Sequence, residues 1–331
     1  MDTSSLGLDF ADAELESRVR GRLQQVEREL SLAVTSDVDF VTEAARHLLE
    51  AGGKRFRPLL VMLAAEFGDI EGAGVLPAAI VVELTHQATL YHDDVMDEAD
   101  LRRGASTANA RWDNTVAILT GDFLFSRASD IVSDLGPEAV QVQARTFTRL
   151  VQGQIRETVG PRDGEDPLEH YLSVVADKTG SLIATSARFG AMLSGASQHV
   201  ERTLTDFGEQ IGISFQLSDD IIDIVSDSAD SGKTPGADLR EGIATLPTLL
   251  ARSSHHPTDH RLLELLSGPI TDDRHHAEAL RLLRQNPAMH RARAEVARRT
   301  AAARALLDGL PDIAARAALS SLCDLVTTRT A

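Results

Sequence analysis

Apolar residues recur every three to four positions along nearly the whole chain, a 3.6-residue period that predicts successive α-helices and an all-α fold. Proline and glycine punctuate the pattern at Ala51-Gly52-Gly53, Phe67 to Pro77, Ser133 to Pro137, Gly160 to Pro167, Ser226 to Gly242, Arg252 to Pro257, Ser267 to Pro269 and Leu310-Pro311. Pro58, Pro77 and Pro167 suit the first turns of the helices that follow, where a backbone N–H has no partner to lose. Leu23, Val26, Leu30 and Ala33 form one stripe of a lead-in helix or pair of helices. No stretch of linker composition divides the 331 residues, so a single domain is expected, with its motifs between about residues 40 and 250 and packing helices from about 255 to 331. The Ser226 to Gly242 stretch is the most polar and glycine-rich of the long loops, which suits a lid beside a site.

Two of the predicted helices end in aspartates with one spacing: Asp93-Asp94-Val95-Met96-Asp97 and Asp219-Asp220-Ile221-Ile222-Asp223. Each follows a strongly apolar run, Ala79 to Leu84 and Ile211 to Phe215, where a merely solvated acidic face is out of place. The first and last acids are i and i+4 and share a helix face, with the middle one beside them. Two carboxylates about 6 Å apart repel by roughly 3 kcal/mol at an effective dielectric near 20, and the negative end of a helix dipole adds to this. A bound divalent cation relieves both. His86 lies seven residues before Asp93, and Gln216 three before Asp219, each on the stripe of its cluster. His92 is better read as packed between helices, an alternative that also stands for His86.

With 33 basic and 50 acidic residues the chain carries a net charge of −17, which argues against nucleic acid or an anionic membrane as a partner. Cys323 is the lone cysteine, so no intramolecular disulfide is possible and a reducing, cytoplasmic setting is the natural one. The first residues lack the pattern of a signal peptide, and no run approaches the ~20 apolar residues that span a bilayer. Against this acidic background the cations are grouped. Lys54, Arg55 and Arg57 share one turn, Arg102 and Arg103 follow the first acids, and Lys178-Thr179 and Lys233-Thr234 place lysines beside hydroxyls. Magnesium bridges carboxylates to phosphate oxygens, so acids and bases in this interleaving point to a diphosphate. Asp272-Asp273, His255-His256 and His275-His276 lack the spacing and the apolar lead-in, and are read as caps and solvated turns.

These residues together resemble the trans-isoprenyl diphosphate synthases, in particular the bacterial polyprenyl diphosphate synthases. The matching stretches are GGKRFRP (52–58), ELTHQATLYHDDVMDEADLRRG (83–104), KTGSL (178–182), FQLSDDIID (215–223) and GKTPGADLREGIATLP (232–247). The resemblance implies a bundle of mostly antiparallel helices around a deep central cavity, usually as a homodimer. It implies that Asp93, Asp94, Asp97, Asp219, Asp220 and Asp223 hold magnesium, three ions with substrate bound. Arg102, Lys178, Thr179, Gln216 and Lys233 would join them on an allylic diphosphate. Lys54, Arg57, His86 and Arg103 would hold the diphosphate of isopentenyl diphosphate. Asp93, Asp94, Asp97, Lys178, Asp219 and Lys233 carry the catalysis in this reading: their charges stabilise the departing diphosphate, the double bond of isopentenyl diphosphate attacks the allylic cation, and a proton leaves to the released diphosphate. Many family members place a lysine where this chain has Ile243, which removes one basic contact.

Helical rise is ~5.4 Å per turn, close to one extended isoprene unit, so small residues below the first acids open room for a growing chain. Thr89 and Thr85 lie one and two turns below Asp93, and Ala88 occupies the fifth position before it, where short-chain relatives tend to carry an aromatic floor. A medium-to-long all-trans polyprenyl diphosphate is therefore expected, with peripheral membrane contact for its release a further possibility. A geranylgeranyl or farnesyl diphosphate synthase is the alternative within the enzyme class. A terpene cyclase would lack the second DDxxD and the basic turn, and a non-catalytic subunit of a heteromeric synthase would be expected to lose acids from one cluster.

Overall fold

The computed structural model describes residues 8, 10–226, 235–254 and 256–330, and over these the protein is all-α apart from one minimal hairpin. The helices that position the site are α1 (Ala13–Ala33), α2 (Asp39–Glu50), α3 (Phe56–Ala65), α4 (Val75–Met96), α5 (Ala108–Arg111), α6 (Asn114–Ser133), α7 (Pro137–Val159), α8 (Pro167–Val175), α9 (Ser181–Leu193) and α10 (Gln198–Val225). Further helices span Ala237–Glu241, Leu246–Arg252, His260–Leu265, Asp273–Gln285, Pro287–Leu307 and Ala314–Thr328. Among the described residues no helix is long and apolar enough to cross a membrane.

The chain forms two compact units, neither continuous in sequence. The first comprises Met1–Thr148, Leu182–Gly208 and Leu306–Ser321. Its α1 starts where the Asp12 carboxylate accepts the Leu15 N–H at 2.7 Å, and buries Leu15, Val19, Leu23, Val26 and Leu30. The buried stripe ends at Val34, four residues after Leu30, and the expected Ala33 beside it is half-buried. In α3 every residue from Pro58 to Ala65 is buried, and α4 is buried on most of its circumference, so both are core helices. Gly190 of α9 lets this helix approach α3 closely, since a Cβ there would stand 2.2 Å from the Val61 carbonyl oxygen. Tyr91, fully buried, ties α4 to α2 by donating to the Ala44 carbonyl at 2.5 Å and accepting the Leu48 N–H at 3.3 Å.

The second unit comprises Arg149–Ser181, Glu209–Ala305 and Leu322–Ala331. Asp166 caps α8 through the Leu168 N–H at 2.8 Å, with Pro167 as its first residue. Lys178 and Thr179 lie on a π-helical turn, Ala176–Gly180, that joins α8 to α9. Such wide turns inside helices frequently mark functional sites. Gly153 of α7 makes it possible, because a Cβ there would meet the Lys178 backbone nitrogen at 2.8 Å.

Other expectations are corrected. The stretch after the second acid cluster contains the helix Ala237–Glu241, and residues 227–234, with Lys233 and Thr234, lie outside the described residues. His276 is buried, not solvated, and bonds the Gly236 carbonyl at 2.9 Å; His255 lies outside the described residues. Asp272 does cap a helix, accepting the N–H groups of Arg274 and His275. Cys323 is buried and its thiol is pushed up to about 11 by burial.

Candidate active site

The first acid cluster closes α4. Asp97 is its C-cap, with its N–H on the Asp93 carbonyl at 2.8 Å, and the Ala99 N–H returns to the Asp94 carbonyl at 2.9 Å. Asp94 is fully buried, Asp93 half-buried and Asp97 exposed. Behind them Leu101–Arg102 pairs with Ala105–Ser106, turned by Arg103 (φ 55°) and Gly104 (φ 79°), both left-handed as a tight type I′ hairpin requires. This hairpin sends its two arginines in different directions. Arg102 Nε pairs with Asp94 Oδ1, and Arg103 Nη1 donates to the Leu48 carbonyl at 3.2 Å and to the Gly52 carbonyl.

Arg103 thereby reaches the basic turn 52–58. Gly53 sits close beneath both guanidiniums, since a Cβ there would lie 2.9 Å from Arg103 Nη1 and Arg55 Nη1, and its φ of 152° disfavours any side chain. The three bases of the turn part company. Arg55, left-handed at φ 49°, is buried between two acids: Nε and Nη2 hold Glu27 at 2.5 and 3.1 Å, and Nη1 holds Glu83 at 3.1 Å. Gln87 Nε2 completes the buried network on Glu83 at 2.7 Å. Lys54 is exposed, and the half-buried Arg57 has a buried Nε with no partner among the described residues. Burial lowers the Arg57 guanidinium to about 10, with nearby Glu83 opposing and Arg103 adding to the effect. His86, two turns before Asp93, is held well below 6.5 by burial and by the charges of Arg57, Arg103, Arg102 and Arg55. A concentration of cations strong enough to depress its own members is a site that wants an anion.

The second cluster lies on α10. Asp220 is buried and fully engaged: Oδ1 accepts Gln216 Nε2 at 3.1 Å, while Oδ2 accepts the Tyr171 hydroxyl and the Leu246 N–H at 3.3 Å. Burial raises its carboxyl to about 6 in spite of these donors, and burial and Asp220 push the Tyr171 phenol well above its usual value. Thr179 of the π-helical turn donates to Gln216 Oε1 at 3.2 Å, so Thr179, Gln216, Asp220 and Tyr171 form one chain. Asp223 accepts the N–H groups of Ala237 and Asp238 at 3.2 and 3.4 Å. Asp219 pairs with Arg329 at 2.6 Å. Lys178 pairs with Glu157, and Arg149 steadies the turn between Asp177 and Glu209, each at 2.8 Å.

Among the described residues no three acidic, histidine or cysteine side chains converge as a ready-made ion cage, although spacing alone predicted two compact patches. The cause is visible in the middle acids, which turn inward to Arg102 and to Tyr171. The donor set nevertheless fits magnesium: it is all oxygen, and Asp94 Oδ2 is a buried carboxylate oxygen with no hydrogen-bond partner among the described residues. Below the first cluster, Ala88 is fully buried and Thr89 half-buried. Thr85 is buried too, and its hydroxyl accepts Gln143 Nε2 of α7 at 2.6 Å. His92 bonds the Ile118 carbonyl at 3.1 Å and packs on Gly121, so it is a packing histidine as expected. Ile243 is 41% exposed.

Sequence reasoning missed Tyr171, Arg329 and the Glu27–Arg55–Glu83 network. Only Arg55 had a local signal, as one base too many in a single turn.

Residues 38–283 match the family model described as polyprenyl synthetase, a span that contains both acid clusters, the basic turn and the π-helical turn. The chain belongs to the polyprenyl synthetase family. It is a prenyltransferase, and two curated relatives match nearly all of it. A nonaprenyl diphosphate synthase of Mycobacterium tuberculosis is 48% identical over 324 residues, 98% of this chain and 97% of that protein. A dimethylallyltranstransferase of the same organism is 43% identical over 318 residues, 96% of this chain and 97% of the relative. Among solved structures, geranylgeranyl pyrophosphate synthase from Corynebacterium glutamicum, complexed with calcium and isoprenyl diphosphate, matches with a TM-score of 0.88 at 46% identity, covering 98% of this chain and 99% of that one.

Proposed function

We propose that the protein condenses isopentenyl diphosphate head to tail with an allylic diphosphate, giving a medium-to-long all-trans polyprenyl diphosphate. The observation that carries this is the pair of cations Arg57 and Arg103 around the imidazole of His86, which lies two helical turns before Asp93, in a chain of net charge −17. A diphosphate there would meet Lys54 and Arg57 from the basic turn, His86 from α4 and Arg103 from the hairpin. Asp93, Asp94 and Asp97 and Asp219, Asp220 and Asp223 would hold magnesium, three ions with substrate bound, together with Arg102, Lys178, Thr179, Gln216 and Lys233 around the allylic diphosphate. When bound, magnesium supplies Lewis-acid stabilisation of the departing diphosphate. Within the clusters Asp94 and Asp220 are buried and tied to Arg102 and Tyr171, which supports a positioning share for them, while Asp93, Asp97, Asp219 and Asp223 are less buried. The helices α7 and α10 each contribute to both compact units, which supports one synthase domain.

Thr85, Ala88 and Thr89 would bound the growing chain. The Thr85–Gln143 hydrogen bond favours a second reading in which elongation stops earlier, at a geranylgeranyl product, because a side chain from α7 already occupies the space at that level. A homodimer is proposed from the outer face of α7, where Val140, Phe147, Val151, Ile155 and Val159 are exposed at spacings of seven and four residues. A cytoplasmic location and peripheral membrane contact for product release belong to the same reading. Incubation with isopentenyl diphosphate, magnesium and each of dimethylallyl, geranyl, farnesyl and geranylgeranyl diphosphate, with products resolved by chromatography and mass, tests it. Elongation of at least one primer is expected; none with any primer overturns it.

A further inference from the structure

The tail of the chain returns to the second acid cluster. Beyond helix Ala314–Thr328 the Arg329 N–H still donates to the Leu325 carbonyl at 3.2 Å, and Arg293 Nε holds the Thr330 carbonyl at 2.6 Å, so the tail backbone is fixed on both sides of Arg329. From this anchored position Arg329 Nη2 donates to Asp219 Oδ1 at 2.6 Å. Its guanidinium carbon lies 4.7 Å from the centre of the Phe215 ring, one turn before Asp219 on α10. The remaining terminal nitrogen, Nη1, is buried and has no hydrogen-bond partner among the described residues. A buried donor left without an acceptor costs free energy comparable to the loss of a hydrogen bond, and a planar fork with one prong on a carboxylate and one unpartnered is suited to a phosphate oxygen. The Arg329 side chain is 22% exposed and that of Asp219 40%, so the pair is accessible from solvent.

We propose that Arg329 is a counter-ion switch of the second acid cluster: it neutralises Asp219 in the unliganded enzyme, and gives up Asp219 to bind a diphosphate oxygen when the site is loaded. The inference rests on the synthase reading and deepens it by naming how one cluster is held before substrate arrives. Without a cation Asp219 stands beside Asp220 and Asp223 on one helix end, and the guanidinium offsets that repulsion. The ring of Phe215 keeps the guanidinium in place by cation–π contact while its hydrogen-bond partner changes.

The two roles have opposite signs, which makes the test specific. Full-length wild type, Arg329→Gln and Arg329→Lys are titrated with Mn2+ alone, read as free Mn2+ by electron paramagnetic resonance. Inorganic diphosphate is then titrated at saturating Mn2+ by calorimetry. Arg329→Gln is expected to bind Mn2+ roughly two- to fivefold more tightly, as suits loss of a partly exposed competing ion pair. It is expected to bind diphosphate about tenfold more weakly through loss of one charge-assisted donor. Arg329→Lys keeps the charge and restores part of the diphosphate affinity. In an Asp219→Asn background Arg329→Gln no longer alters Mn2+ affinity. Wild-type affinities for both ligands in Arg329→Gln, or a loss of both together, overturn the proposal; if that variant does not fold, wild-type affinities in Arg329→Lys overturn it. Failure of the synthase reading is separate, since it is seen as no elongation by the wild type.

Discussion

Removing the Arg55 side chain should cost stability first and catalysis second, whereas removing the adjacent Lys54 should do the reverse. Arg55 and Glu83 are each 2% exposed in their side chains, while the second partner, Glu27, is 32% exposed. In Arg55→Ala the Glu83 carboxylate stays buried with Gln87 as its remaining donor, and breaking a buried pair from one side costs about 3–5 kcal/mol. Unfolding entropies near 2.1 cal/mol/K per residue over 331 residues give roughly 0.7 kcal/mol per degree, so thermal unfolding without ligand should shift down by about 4–7 °C. Neutralising the orphan should restore part of this: Arg55→Ala with Glu83→Gln is expected to regain about 2 kcal/mol. Because Arg55 sits at φ 49°, Arg55→Gly should also melt higher than Arg55→Ala, by the equivalent of about 1 kcal/mol. Lys54→Ala, at an exposed position, should leave the melting temperature within about 1 °C and raise the KM for isopentenyl diphosphate about tenfold. Circular-dichroism melts and initial-rate kinetics decide the matter. Equal melting temperatures for the two single variants, or no recovery on adding Glu83→Gln, would refute the division of labour within the turn.

His86 is neutral in the folded protein and takes a proton on unfolding below about pH 6.5, so the unliganded protein should lose stability as pH falls through that value; melts of wild type and His86→Gln should show this slope only in the former. An anion in the site raises the His86 pKa, so isopentenyl diphosphate binding should take up protons near pH 6, seen as a buffer-dependent calorimetric enthalpy that His86→Gln abolishes. Gly153→Ala puts a methyl 2.8 Å from the Lys178 backbone nitrogen and should displace the π-helical turn, lowering kcat/KM for the allylic substrate up to ~100-fold with the helical circular-dichroism spectrum retained. Ala88→Phe places an aromatic ring at a fully buried point below Asp93 and should shorten the product distribution by mass; unchanged products would remove Ala88 from the chain-length wall.

What the sequence disclosed and what it hid divide along chain separation. Asp93, Asp94 and Asp97, their counterparts on α10, and the stripes holding His86 and Gln216 were readable because helical periodicity fixes neighbours three, four and seven residues apart. The partners that decide what each acid does come from elsewhere: Tyr171 reaches Asp220 across 49 residues and Arg329 reaches Asp219 across 110. No local pattern encodes those contacts, so six acids that look equivalent in spacing become two buried and four less buried ones only when packed. The same limit applies to the product. Small residues at Thr85, Ala88 and Thr89 imply open space only if nothing fills it from another helix, and Gln143, 58 residues away, donates to Thr85. Gln143 is itself incompletely satisfied, since its Oε1 is buried without a hydrogen-bond partner among the described residues. Gln143→Ala should therefore lose one modest hydrogen bond, about 1 kcal/mol, while clearing the level two turns below Asp93. If side chains at that level limit elongation, the variant should make longer products than the wild type from the same primer. If its products are unchanged while Ala88→Phe shortens them, the limit lies at Ala88, and the Thr85 level takes no part in it.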